Sequence, residues 1–197
     1  MLSPTPLASL LDRIRACDLC AWPHGRRPIV QLDPRARLLI VSQAPGRRAH
    51  LSGIPFQDPS GERLRDWLGI GPERFYDPAR VAILPSGFCY PGTAPDNGGD
   101  YPPAPLCAPT WHPQVLPHLP GVVLTLLIGG YAQARYLAGR RQATMTETVA
   151  AWRDHLPDGL LPLPHPSWRN SAWLKRHPWF EAELLPVLRA RVAEAVA

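Results

Sequence analysis

The chain has 197 residues, 45% of them hydrophobic and 19% charged, enough for one substantial core and too short for two comfortable domains. Its 26 prolines and 15 glycines exclude a coiled coil or an all-helical bundle and favour a loop-rich α/β fold. Twenty-one Lys and Arg against 16 Asp and Glu leave a net charge of +5, which suits an anionic partner such as nucleic acid.

In chain order, Leu7, Leu10, Leu11 and Ile14 recur at helical spacing and predict a short helix over residues 7–16 that delivers Cys17 and Cys20. The first residues lack a basic segment leading into an apolar one, and no apolar run reaches the roughly 20 residues of a membrane span. A soluble, cytoplasmic protein with no membrane partner is therefore expected. The apolar run 38–41 stops at Pro45-Gly46 and reads as a parallel strand buried on both faces, its carboxyl end opening on a crevice. Ser60 is expected to cap a helix to about Leu68, with Glu62 in its first turn and Gly69 near its end. A second strand is expected at 81–84, and two Pro/Gly-rich stretches, 91–113 and 157–166, read as ordered loops.

The stretch GVVLTLLIGG combines β-branched and apolar residues and hands over at Gly129-Gly130 to the helical pattern YAQARYLAG, a strand-to-helix unit. A helix over 146–155 follows, then a short strand, 160–163, that ends at His165-Pro166-Ser167. The C-terminal 179–196 reads as a helix bent at Pro186. This alternation implies a single three-layer α/β/α domain over residues 1–197 around a mostly parallel four-stranded sheet. Ligands belong beyond the carboxyl ends of such strands, where Gln43, Pro85 and His165 fall.

In a reducing compartment, four cysteines point to a metal or redox site in preference to disulfides. Cys17 and Cys20 form one close pair, while Cys89 and Cys107 are dispersed; a zinc ribbon would normally supply two close pairs.

Taken together, CDLC, VSQAPG after the first strand, GIPFQDPSGERLRDWLGI, FCYPG with a later cysteine, and HPS after the last strand resemble the uracil-DNA glycosylase superfamily, most closely its iron–sulfur branch, family 4. The resemblance runs from Cys17 to about Phe180, and the tail HPSWRNSAWLKRHPWF is similar to a glycosylase-like bacterial subgroup. It implies a [4Fe–4S] cluster on Cys17, Cys20, Cys89 and Cys107, with structural zinc or free core cysteines as the alternatives. Such a cluster would be structural, tying the N-terminal helix and the Pro-rich loop to the sheet.

The implied function is base-excision repair: hydrolysis of the N-glycosidic bond of uracil, or a related deaminated base, in DNA. A monomer is expected. This chemistry takes the nucleotide out of the stack, stabilises negative charge on the departing base and tolerates a cationic sugar. The resemblance implies that Gln43, Ala44, Pro45 and Gly46 floor the pocket, that Phe56 stacks on the base, that His165 donates to the developing oxyanion, and that Ser167 holds a phosphate. Two departures stand out. Gln43 and Ala44 occupy the positions where the family carries its water-activating carboxylate, so either Gln43 merely positions water or Asp58 reaches in from its loop. The other reading of Asp58 is a turn-forming, helix-capping residue. Pro85 stands where the family has a base-reading Asn, leaving Ser86, Asn97 or Asn170 as replacements.

DNA engagement falls on the segment after HPS. Trp168 or Arg169 would wedge into the gap left by the base, and Lys175 and Arg176, near His177, would contact phosphates. Arg47 and Arg48 would extend the basic rim, and the alternative is a solvated basic helix start with core tryptophans. Trp22, Trp67, Trp111 and Trp152 read as packing residues. Three rival functions remain: a glycosylase-fold module that binds DNA or damaged bases without turnover, an enzyme acting on nucleosides or RNA, and a structural iron–sulfur protein.

Overall fold

Strand β1 (Leu38–Val41) has no solvent-facing side, since all four residues are buried. Period-two geometry sends Leu38 and Ile40 to one face and Leu39 and Val41 to the other, and a separate apolar cluster receives each pair. In the computed structural model, which describes residues 6–95 and 99–197, β1 lies inside a sheet with β2 (Val81–Ile83), β3 (Leu124–Ile128) and β4 (Leu160–Leu163). The order is β2-β1-β3-β4 and every pairing is parallel, with Ile40 opposite Ile83 on one side and Leu126 on the other. All four carboxyl ends therefore point the same way.

The helices, in chain order, are α1 (Pro6–Arg15), α2 (Arg47–Ser52), α3 (Pro59–Leu68), α4 (Pro72–Phe75), α5 (Cys107–Val115), α6 (Gly129–Tyr136), α7 (Met145–Ala150), α8 (Trp152–His155), α9 (Ser171–Arg176) and α10 (Leu185–Ala195). Leu64, Trp67 and Leu68 of α3 pack on one face of the sheet with Leu188 and Val192 of α10. Leu10 and Ile14 of α1, Trp111 and Val115 of α5, and Ala132 of α6 cover the other. The result is the three-layer α/β/α arrangement. Among the described residues, no helix is long and apolar enough to cross a membrane.

The structure departs from the sequence reading in four places. Asp58, and not Ser60, caps α3: its extended backbone lets the carboxylate accept from Gly61 N at 2.8 Å, and Pro59 takes the first helical position, where no N–H is needed. Residues 107–113, the end of the stretch 91–113 read as loop, belong to α5 in spite of Pro113, because burying Trp111, His112 and Val115 outweighs the one missing backbone bond. The helix expected over 146–155 breaks at Ala151 into α7 and α8; it starts one residue earlier through a capping box between Thr144 and Glu147. Finally, the irregularity expected at Pro186 sits one turn upstream, as a wide π turn over Phe180–Leu184. Pro186 has no N–H to offer four residues back, and the wide turn absorbs that loss.

His155 at the end of α8 is 2% exposed, and neither ring nitrogen has a partner among the described residues. Burial lowers its pKa from 6.5, aided by Arg140 and opposed by Asp154 and Asp158. The folded protein thus holds it neutral while the unfolded chain takes up a proton near pH 6.5, so stability present above that pH is lost as the pH falls. The loss is at most about 1.4 kcal/mol per pH unit. Replacing it, His155→Leu, is expected to flatten this acid dependence, as read by urea unfolding at pH 8 and pH 5; an unchanged slope would contradict the assignment.

Candidate active site

Segments leaving β1, β2 and β4 converge on a cavity of about 370 Å³. Its walls include Gln43, Ala44, Pro45 and Gly46 after β1, Pro85 after β2, and His165, Ser167, Arg169 and Asn170 after β4. Phe56 and Asp58 enter from the loop between α2 and α3. A second hollow of about 390 Å³ adjoins it, sharing Gln43, His165 and Asn170 and reaching Gly129 and Arg141 beyond β3.

The imidazole of His165 is fixed in one tautomer. Ser167 N donates to its Nδ1 at 3.2 Å, so the proton of the neutral ring sits on Nε2. Burial lowers its pKa from 6.5, against the attraction of Asp58, and the ring is held neutral. Two clamps hold the turn that carries it: Asn170 Nδ2 donates to the His165 carbonyl at 2.7 Å, and an Arg63 guanidinium N–H from α3 donates to the Ser167 carbonyl at 3.0 Å. Arg63 carries no signal in the sequence, because its partners lie about a hundred residues away.

Phe56 adopts a left-handed backbone with φ of 55°, a conformation that bulky residues rarely hold. Its carbonyl accepts from Tyr76 Oη at 3.2 Å and from Arg65 at 3.4 Å, and its ring meets Phe75 edge-on at 6.0 Å. Gly61 makes this possible, since a Cβ there would overlap the Phe56 carbonyl oxygen.

Two carboxylates flank Gly46 on the cavity wall. A Cβ built on Gly46 would lie 3.5 Å from Asp100 Oδ2 and 3.8 Å from Asp58 Oδ2. Thr93 Oγ1 donates to Asp100 Oδ1 at 3.0 Å, and the Tyr90 hydroxyl, 2.6 Å from Thr93 Oγ1, completes the chain. Burial raises the pKa of Asp100, with Asp58 adding and Thr93 and Arg169 opposing. Sequence reasoning missed Asp100: it lies in a Pro/Gly-rich segment, and a backbone pairing of Thr93 with Asp100 brings it to the site. The Gln43 amide is engaged elsewhere, donating to the Tyr101 carbonyl at 3.3 Å.

Pro85 lines the cavity, but its carbonyl accepts from His112 Nε2 at 3.0 Å, and His112 Nδ1 in turn accepts from the Tyr136 hydroxyl at 2.8 Å. Burial lowers the His112 pKa to about 4. Ser86 is buried and is not among the residues lining the cavity; its hydroxyl has no partner among the described residues. Asn97 lies outside the described residues. Trp168 is 71% exposed, and the Arg169 guanidinium lies 5.1 Å from its ring centroid. Ser167 Oγ accepts from Arg169 N at 3.3 Å. Lys175 and Arg176 are exposed at the end of α9, away from the cavity wall, while His177 packs on Trp173 with ring centroids 4.5 Å apart. Arg47 and Arg48 are exposed at the start of α2. Trp67, Trp111 and Trp152 are buried.

Cys17, Cys20, Cys89 and Cys107 line a single pocket, with half-buried Trp22 and exposed Arg26 beside them, and none is in a disulfide. Phe88 N donates to Cys107 Sγ at 3.3 Å, and burial raises the Cys107 thiol to about 12. Among the described residues no three His, Cys, Asp or Glu side chains are gathered closely enough to hold a metal ion. The four sulfurs line one pocket, and their number and chemistry suit a thiolate-held iron–sulfur cluster or a single tetrahedral zinc alike.

Residues 29–189 match the family model described as the uracil DNA glycosylase superfamily. The matched span includes every residue that lines the cavity, and Cys89 and Cys107, while Cys17 and Cys20 precede it. A half-buried, singly oriented histidine at the rim of an all-parallel sheet accords with a glycosylase-type site. The chain belongs to the uracil-DNA glycosylase superfamily.

Proposed function

We propose that this protein removes uracil, or a related deaminated base, from DNA by hydrolysing the N-glycosidic bond, as the first step of base-excision repair. The observation that carries this reading is His165, neutral and locked as an Nε2–H donor on the wall of a cavity that Phe56 also lines. A flipped base stacks on Phe56, and Nε2–H meets the negative charge that grows on the pyrimidine oxygen as the bond breaks. Ala44, Pro45 and Gly46 floor the sugar, and Gln43, tied to Tyr101, holds that floor in place. Exposed Trp168 fills the gap left in the duplex, with Arg169, Lys175 and Arg176 on the phosphates. Asn170 acts as a positioning residue for His165, so base choice rests on the shape of the wall around Pro85 more than on a side-chain amide.

The cysteine pocket fits an iron–sulfur cluster held by Cys17, Cys20, Cys89 and Cys107, which when bound would cross-link the end of α1 to the segments before and at α5 and take no part in the hydrolysis. A binding module without turnover is the competing reading, and the lack of a side-chain base at Gln43 and Ala44 favours it.

Single-turnover assays on oligonucleotides carrying uracil or hypoxanthine decide between them. The intact protein is expected to release base, and His165→Ala to slow release by about 10²–10³-fold. Tight binding with no release of any deaminated base would establish the module instead. Gly61→Ala is expected to displace Phe56 and lower both excision and the melting temperature, measured by calorimetry beside the same assay; an unaltered rate would remove Phe56 from the site. Cys17→Ser is expected to reduce iron content and thermal stability by more than it reduces the rate per folded molecule. Equal losses in rate and fold would argue against a purely structural role.

A further inference from the structure

We infer that Asp100 is the water-activating carboxylate of the cleft, facing the sugar across Gly46 beside Asp58. This inference rests on the glycosylase reading of the cavity and identifies the base that the loop after β1 does not supply. Gln43 and Ala44 offer no carboxylate, and the Gln43 amide is committed to the Tyr101 carbonyl. Of the acids that line the cavity, Asp58 is occupied in part, its Oδ1 accepting from Gly61 N as the cap of α3. Asp100 caps no helix. Its Oδ1 takes the Thr93 hydroxyl, and because that hydroxyl donates to Asp100, the Tyr90 hydroxyl must donate to Thr93. This chain turns Oδ2 toward Gly46, a residue of the pocket floor. The two Oδ2 atoms both lie within 4 Å of one point, the Cβ position of Gly46, so together they present negative charge to a cationic sugar. Burial of Asp100 and the facing charge of Asp58 strengthen its hold on a proton, opposed by the Thr93 hydroxyl and by Arg169.

The step balances as follows. Asp100 Oδ2 takes one proton from water as the water oxygen bonds to the anomeric carbon. The electron pair of the carbon–nitrogen bond leaves with the base, stabilised by His165 Nε2–H. The proton then passes from Asp100 to the departed base, giving free base and an abasic sugar.

Asp100→Asn preserves shape and an acceptor for Thr93, and Asp58→Asn preserves the helix cap. Each is assayed for single-turnover release of uracil and for binding to DNA carrying a cationic pyrrolidine or a neutral tetrahydrofuran abasic analogue. Asp100→Asn is expected to slow release at least about 100-fold and to abolish the preference for the cationic analogue; Asp58→Asn slows release by about 10-fold or less. Thr93→Val, which frees Asp100 without removing any charge, is expected to slow release about 10-fold while leaving the melting temperature near that of the intact protein. An Asp100→Asn rate within threefold of the intact protein, or a larger effect from Asp58→Asn, overturns the assignment and leaves the glycosylase reading standing. An intact protein inert on every deaminated base overturns both.

Discussion

The hydrogen bond from Ser167 N–H into Nδ1 of His165 decides what the cleft can do, because it leaves a single ring nitrogen free to donate. Two influences compete for that ring. Asp58 favours the charged form and burial the neutral one, and burial is the larger. In the proposed hydrolysis, a cationic imidazole would set positive charge near a sugar that is itself turning positive, whereas a neutral donor would stabilise the departing base without that cost. The turn carrying the ring has its carbonyls held from two directions, by Asn170 within the same segment and by Arg63 from α3. Orientation is therefore built in before any ligand arrives.

Charge is divided by place. Asp58, half-buried, and Asp100, exposed, both line the cavity, whereas Arg47 and Arg48 are exposed at α2 and Lys175 and Arg176 at α9. A net charge of +5 is thus an average over regions of opposite sign, and it hides the acidic one.

The strands were legible because each is a short apolar run, and a parallel sheet buried on both faces demands such runs: β1 and β4 keep their expected bounds, and β2 and β3 lie within theirs. The placement of Gln43, Pro85 and His165 at one end follows from that topology, not from their own identities. Other features depended on contacts between segments far apart in the chain. Asp100 reaches the site through its pairing with Thr93, Arg63 through a carbonyl of the turn after β4, and His112 through the Pro85 carbonyl. α5 was hidden for a different reason: its prolines argue against a helix locally, and only the burial of Trp111 and Val115 against the sheet overrules them. At α3 the local reading offered two capping oxygens, the Ser60 hydroxyl and the Asp58 carboxylate, and the structure uses the carboxylate.

Much of the site is set by one short helix. Asp58 caps α3, Gly61 in its first turn makes room for the Phe56 carbonyl, Arg63 grips the turn of His165, and Arg65 reaches back to the Phe56 carbonyl. With 3.6 residues per turn, a single inserted or deleted residue between Asp58 and Arg65 swings everything beyond it by about 100°. Phe56, Asp58 and the His165 imidazole would lose register with one another at once. Loops nearby can lengthen or shorten over evolutionary time, but this octapeptide behaves as a jig whose length is as constrained as the identity of any side chain it carries.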